Sequence, residues 1–192
     1  VTSSEDPAAL LEDPARFLDH EDPALRRLAV AAFAARPQEV LPVLATLLGA
    51  DPDPGVRAEA AEVLAGAGPE AIPVLAAART DPDPRVVEAV ATASGEVPDP
   101  GAVSWLLELA SGHEDRLVRE AAVASLGAIG DERALPTLLR LLADGPPQVR
   151  RRAVVALTAF DGPDVEAALR AAVRDRNPMV REAAEMVIGR DR

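Results

Sequence analysis

Apolar residues recur along the chain in short blocks at helical spacing, separated by polar, proline-bearing loops. In the block that follows Asp115, for example, Val118, Ala122, Ser125, Leu126 and Ile129 fall on one face at about 100° per residue. The blocks are copies of one another. A Val/Leu–Arg pair returns as Leu25-Arg26, Val56-Arg57, Val118-Arg119, Val149-Arg150 and Val180-Arg181, with Val86-Val87 as a degenerate copy. The steps between them are 31, 30, 32, 31 and 31 residues. Six residues before each Arg-column position stand His20, Asp51, Asp81, His113, Asp144 and Asp175. Two residues further on come Asp22, Asp53, Asp83, Asp115, Pro146 and Asn177, mostly followed by proline. Such a period is the signature of a stacked-repeat architecture.

Each unit predicts two helices. An Asp or Asn N-cap accepts an orphan amide, and a proline at the first helical position has no amide to leave unpaired. These signals open second helices over about 23–35, 54–66, 84–94, 116–128, 147–160 and 178–189. First helices are expected over about 7–19, 38–50, 69–79, 100–111, 132–143 and 163–175, with Pro42, Pro73 and Pro136 sharing a first-turn column. The fold class expected is all-α, a right-handed α-α superhelix of six two-helix repeats. The repeats are expected at about 5–36, 37–67, 68–97, 98–130, 131–161 and 162–192, forming one continuous domain over 1–192. With helix axes about 8–10 Å apart, six units make an arc on the order of 50–60 Å.

Composition narrows the chemistry. Of the 192 residues 40 are alanine and 18 proline; there is no cysteine or tyrosine, and all 20 basic residues are arginine. The missing cysteines exclude disulfides, thiolate nucleophiles and Cys-ligated metals. A net charge of −12 argues against nucleic acid as the partner. No apolar run approaches the roughly 18 residues of a membrane span, and no signal-peptide pattern opens the chain, so a cytoplasmic setting is expected. Arginine without lysine, together with the alanine excess, suggests a GC-rich bacterial genome. The aromatic poverty follows from the repeat, since a thin shared seam needs only Ala, Leu and Val.

The stretch Asp115–Asp144 carries Val118-Arg119-Glu120-Ala121-Ala122, Leu126-Gly127-Ala128-Ile129-Gly130-Asp131 and an apolar block over Ala134–Leu142. It resembles the short HEAT repeats of the phycobilisome-lyase-like type, and the resemblance spans all six units. It implies a ladder in which a loop aspartate caps or pairs with an arginine of a neighbouring unit. Asp51, Asp144 and Asp175, with Arg26, Arg57, Arg119, Arg150 and Arg181, match those columns. Val87 breaks the arginine column, and His20 and His113 break the aspartate column.

His20-Glu21 and His113-Glu114 are similar to the paired His-Glu dipeptides of the di-iron deoxyhypusine hydroxylases, which share the period. In that family the pairs follow the V-R pair inside the second helix. The matching positions here are Arg27-Leu28, Ala58-Glu59, Glu88-Ala89, Glu120-Ala121, Arg151-Arg152 and Glu182-Ala183, without histidine. The two histidines lie three units apart, about 30 Å by the packing estimate. No metal, cofactor or catalytic residue is therefore assigned, and the chain is expected not to be an enzyme. Trp105 is expected to fill the core column of Leu44, Leu75 and Leu138. HEAT-like alkylpurine DNA glycosylases use aromatics and carboxylates on a basic concave face, and this chain lacks such a face.

What remains is the face formed by the second helices. Glu62, Glu88, Glu120, Val123, Arg151 and Val155 are expected to point away from the core there. Residues 1–96 hold 7 Arg against 17 acids, and residues 97–192 hold 13 against 15. Two readings stand side by side. In one, the face is a groove for a protein or peptide partner, one with a basic segment suiting the acidic repeats. In the other, small residues answer to tight packing and the charges solvate the surface. The leading expectation is a protein-binding scaffold, and the competing one a lyase-like or other cofactor-handling HEAT-repeat enzyme component. End-to-end self-association is a third expectation, because the last helix carries Val180, Ala184, Val187 and Ile188 with no capping helix behind it.

Overall fold

A computed structural model describes Leu10 and residues 12–189. Among these residues every regular element is helical. The α-helices are α1 (Pro23–Ala31), α2 (Leu41–Ala50), α3 (Pro54–Ala65), α4 (Ile72–Ala77), α5 (Pro84–Glu96), α6 (Val103–Gly112), α7 (Arg116–Ile129), α8 (Leu135–Asp144), α9 (Pro147–Ala156), α10 (Pro163–Ala172) and α11 (Pro178–Gly189). The chain divides into two compact units between Ala93 and Ser94, inside α5.

The start signals act as their chemistry dictates. The Asp22 side chain accepts the Ala24 amide, Asp53 accepts from Gly55 and Val56, and Asp115 accepts from Leu117 and Val118. Proline sits at the first position of α1, α3, α5, α9, α10 and α11, where a missing amide leaves nothing unpaired. The first helices open on single 3-10 turns, Pro37–Val40, Gly68–Ala71, Pro100–Ala102 and Glu132–Ala134. Pro42, Pro73 and Pro136 stand in the second position of the α-helices that follow, so the tighter turn hands over where the α-type amide is missing. Gly130, at φ 67°, closes α7 in the left-handed conformation.

Repeat one departs from expectation. The first helix expected at 7–19 falls partly outside the described residues, and its described part contains the 3-10 turn Pro14–Phe17.

Packing follows one rule within each unit. In the first unit α3 packs on α2, its own first helix, and on α1, the second helix before it. In the second unit α7 packs on α6 and α9, α9 on α8 and α11, and α11 on α10. Helices α3, α7, α9 and α11 are thus each covered on more than one side. Val123 shows the consequence. It was expected to face outward, but it is fully buried, as is Val154 one repeat on. A position turned away from its own first helix still meets the neighbouring second helix.

The seam is made of small residues. Gly127 lies so close to α9 that an added Cβ would stand 2.5 Å from the Ala156 Cα. The first helices bury one column of leucines, Leu44 and Leu75 in the first unit and Leu106, Leu138 and Leu169 in the second. Trp105 is one residue out of that register and only half-buried, so Leu106 takes the core place expected for it.

Candidate functional site

Two polar systems are built on this frame: a ladder through the loops and a strip along the second helices.

The ladder begins with an arginine at the fourth position of a second helix. Arg26 donates from Nε and Nη2 to the two Asp51 carboxylate oxygens, at 2.7 and 2.7 Å. Arg57 does the same to Asp81 at 2.8 and 2.9 Å, and Arg150 to Asp175 at 2.8 and 2.7 Å. Such parallel donation to a carboxylate is the strong, geometrically specific form of an ion pair. The third donor, Nη1, returns to the arginine's own loop: Arg26 to the His20 carbonyl at 2.7 Å, Arg57 to Asp51 at 2.9 Å and Arg150 to Gly145 at 2.7 Å. Each aspartate also turns its loop, for Asp51 accepts the Asp53 amide and Asp175 the Asn177 amide. Burial works to raise the Asp51 carboxyl, but the Arg26 hydrogen bonds, the Asp53 amide and the Arg57 charge outweigh it and hold it below the usual range. Asp175 is likewise depressed, chiefly by its bonds to Arg150, with burial opposing.

Asp144 stands outside this ladder, contrary to the sequence reading. Gly145-Pro146-Pro147 shortens the loop, so α8 runs one residue further and Asp144 becomes its exposed last residue. Gly145 takes the extended C-cap place held elsewhere by Asp51 and His113, and its carbonyl receives Arg150. Arg119 therefore has no loop carboxylate to grip. It donates to the His113 carbonyl and, at 3.0 Å, to the Glu114 carbonyl. Arg181 donates from Nη1 to the Asp175 carbonyl at 2.8 Å.

The histidines do the turn-making half of the aspartate's work. His20 Nδ1 accepts the Asp22 amide at 2.9 Å, and His113 Nδ1 accepts the Asp115 amide at 3.1 Å. Among the described residues, no three His, Asp or Glu side chains converge as a metal-binding group. The positions matching the hydroxylase dipeptides hold arginine, leucine, alanine and glutamate with no histidine, a donor set that does not fit a di-iron centre.

Along the second helices, ion pairs cross from one repeat to the next. Arg27 on α1 donates to Glu59 on α3 at 3.1 Å, across 32 residues. Arg152 on α9 lies 3.9 Å from Glu120 on α7, again 152 − 120 = 32 residues apart. Glu120 also accepts from Arg116. It is buried beneath these arginines, so it positions them instead of facing outward as expected.

Of the other expected face residues, Arg151 and Val155 are exposed together on α9. Glu62 is exposed on α3 and Glu88 half-buried on α5. Val155 keeps 55% of its surface. It borders a cleft of about 260 Å³ lined by Ala124, Gly127, Ala128, Arg152, Val155 and Ala156, among others. Met186 on α11 keeps 62%. Ala128 and Met186 were not picked out from the sequence, nor was the pairing of Arg152 with Glu120, although the 32-residue charge complementarity is readable there. A larger groove of about 450 Å³ lies between α2 and α4, and its one carboxylate, Asp81, is held by Arg57.

An all-α array of helical hairpins, its second helices opened by Asp–Pro, Asn–Pro and related caps and stitched by an arginine–aspartate ladder, defines a helical-repeat protein. The family model for HEAT repeats matches residues 11–94, 72–155 and 135–190, and the chain belongs to that family. Its fold is shared with the complex of CpcE and CpcF of phycocyanin lyase from Nostoc sp. PCC7120. That likeness has a TM-score of 0.65 and 23% identity, over 79% of this chain and 99% of the other. An engineered protein shares the fold with a TM-score of 0.64 and 23% identity, over 93% and 95%. A deoxyhypusine hydroxylase from Eremothecium gossypii is 36% identical over 93 residues, 48% of this chain and 29% of that enzyme. The match therefore spans less than a third of the hydroxylase. This relative overturns the expectation that the chain stands apart from enzymes, because the array of repeats is shared with one at the level of sequence. Among the described residues no helix is long and apolar enough to cross a membrane.

Proposed function

We propose that this HEAT-repeat scaffold is a component of an enzyme or cofactor-handling system, and that it holds a protein partner on the second-helix strip around α7, α9 and α11. The observation that carries the reading is Val155. It is a large apolar side chain left exposed beside a small-residue cleft, flanked by the exposed Arg151 and Arg152. An apolar centre within a polar, solvent-accessible rim is the usual anatomy of a protein interface. The enzymatic side of the proposal is supported by the 36% identity to a deoxyhypusine hydroxylase. A protein partner is consistent with the fold's occurrence in a lyase built as a complex of two proteins. A basic segment on the partner suits the acidic first half, where Glu62 is exposed on α3.

The test is calorimetry against the partner purified from the source cells, with the partner's turnover measured with and without this chain. Val155→Asp and Arg151→Glu are each expected to weaken binding by more than about tenfold, or 1.4 kcal/mol. Glu166→Gln, on the exposed face of α10, leaves affinity unchanged. Unaltered affinity in both strip variants refutes the site, and turnover indifferent to the chain refutes the enzymatic role.

A further inference from the structure

The strip around α7 and α9 has a charge balance opposite in sign to that of the whole chain. The Glu120 side chain, 11% exposed, serves two arginines with one carboxylate. Arg116 donates to its Oε1, and Arg152 of the next repeat stands 3.9 Å from its Oε2. Both arginine side chains stay open to water, at 50% and 45%, and a guanidinium has five N–H donors, so each keeps donors to spare. Arg151 is exposed one turn before Val155 and makes no ion pair among the described residues. Three arginines around one carboxylate leave two positive charges uncompensated, where the chain as a whole carries −12. Glu182, in the column of Arg151 on α11, is exposed and bounds this cationic stretch. Arg152 and Val155 both line the cleft of about 260 Å³. Stacking of repeats leaves Val155 uncovered whatever the length of the array, because α9 already packs on α7, α8 and α11 and Val155 lies on the side left over.

We propose that this part of the strip recognises an acidic, apolar peptide segment of the partner. An apolar side chain of the segment enters the cleft beside Val155, and neighbouring Asp or Glu side chains pair with Arg151 and Arg152. The inference rests on the second-helix strip being the partner site and names the chemistry of what seats there; the basic segment suited to the acidic first half is a separate part of the partner. Charge complementarity selects the occupant. The arginine fork matches a carboxylate, as Arg26, Arg57 and Arg150 show in this molecule. Glu120 acts as a positioning residue: it holds Arg116 and Arg152 in place beforehand, so less side-chain freedom is lost when a ligand carboxylate arrives. Nucleic acid is also anionic, but the cleft presents no aromatic ring on which a base could stack.

The probe is a displayed library of short random peptides selected on the full chain, with the Val155→Asp chain as counter-selection. Recovered peptides are expected to be net negative and to carry Leu, Ile or Met within about one helical turn of Asp or Glu. One such peptide, synthesised with a fluorophore and followed by anisotropy, is expected to bind about tenfold more weakly to the Arg151→Gln, Arg152→Gln double variant. That loss corresponds to two exposed pairs of up to about fivefold each. It is expected to shrink as added salt screens the charges. The loss in Arg151→Glu is expected to be reversed by a lysine in place of a peptide carboxylate, which a merely structural arginine would not allow. Basic or uncharged peptides that depend on Val155 overturn the acidic chemistry and leave the strip standing. Peptides indifferent to Val155→Asp, or none recovered, overturn the strip and this inference with it. Displacement of the acidic peptide by a single-stranded oligonucleotide overturns the choice of peptide over nucleic acid.

Discussion

Removing the carboxylate of Asp175 is the sharpest probe of what holds successive repeats together. The Arg150 side chain is 1% exposed and that of Asp175 13%, so the charge left behind by Asp175→Ala is not reached by water. Arg150 would lose the partners of Nε and Nη2, at 2.8 and 2.7 Å, and keep only the Gly145 carbonyl. Stranding one member of a buried pair costs about 3–5 kcal/mol. The Asn177 amide loses its acceptor as well, adding roughly 0.5–1.5 kcal/mol. Replacing both partners, as Arg150→Met with Asp175→Ala, removes the stranded charge and is expected to cost less than Asp175→Ala alone. Linkage gives the pH arm. The folded-state value of Asp175 is depressed below that of the unfolded chain, so the pair's contribution is complete above about pH 4. It is lost as pH falls through the folded value, and the acid limb of the stability profile flattens in Asp175→Ala. Urea midpoints read by circular dichroism and by hydrogen exchange measure both, the second because repeat arrays need not unfold in one step. A cost under about 1 kcal/mol, the worth of an exposed pair, refutes the claim that the ladder binds repeat to repeat.

Two further outcomes follow from the packing. Gly127→Ala is expected to destabilise by about 1–3 kcal/mol through overpacking against Ala156, despite a helix-propensity gain of up to about 1 kcal/mol; a midpoint shift toward higher stability contradicts the close approach of α7 and α9. Asp144→Ala is expected to leave stability within about 0.5 kcal/mol while Asp51→Ala, which strands buried Arg26, costs several times that; equal midpoints for the two variants contradict the displaced register of the α8 loop.

The helices were legible because Asp–Pro and Asn–Pro dipeptides act locally, and the cap bonds at Ala24 and Gly55 are the bonds those residues make in any helix start. The ladder columns were legible as a resemblance, but Asp144 was misplaced. Column counting does not register that Gly145-Pro146-Pro147 shortens a loop and lets a helix grow by one residue. Val123 was misplaced for another reason. Turning 140° from Val118 leaves a side chain off its own first helix, but the sequence of one repeat does not display the neighbouring second helix that covers it. Trp105 failed by a single residue, in a stretch where the step changes from 30 to 32. The exposed strip was half visible: Arg151 and Val155 were expected on it, whereas the pairing of Arg152 with Glu120 is a relation between repeats and not within one.

The α4 segment shows what the arrangement tolerates. It is six residues long where α2, α6 and α8 each have ten, and its repeat is one residue short. Arg57 nevertheless reaches Asp81 across 24 residues, as Arg26 reaches Asp51 across 25. The arginine works as a ruler set between successive loops, and the shortfall is absorbed in the first helix. In this repeat the lost residue is taken from the first-helix stretch, and the grip of one loop's arginine on the next loop's aspartate is kept.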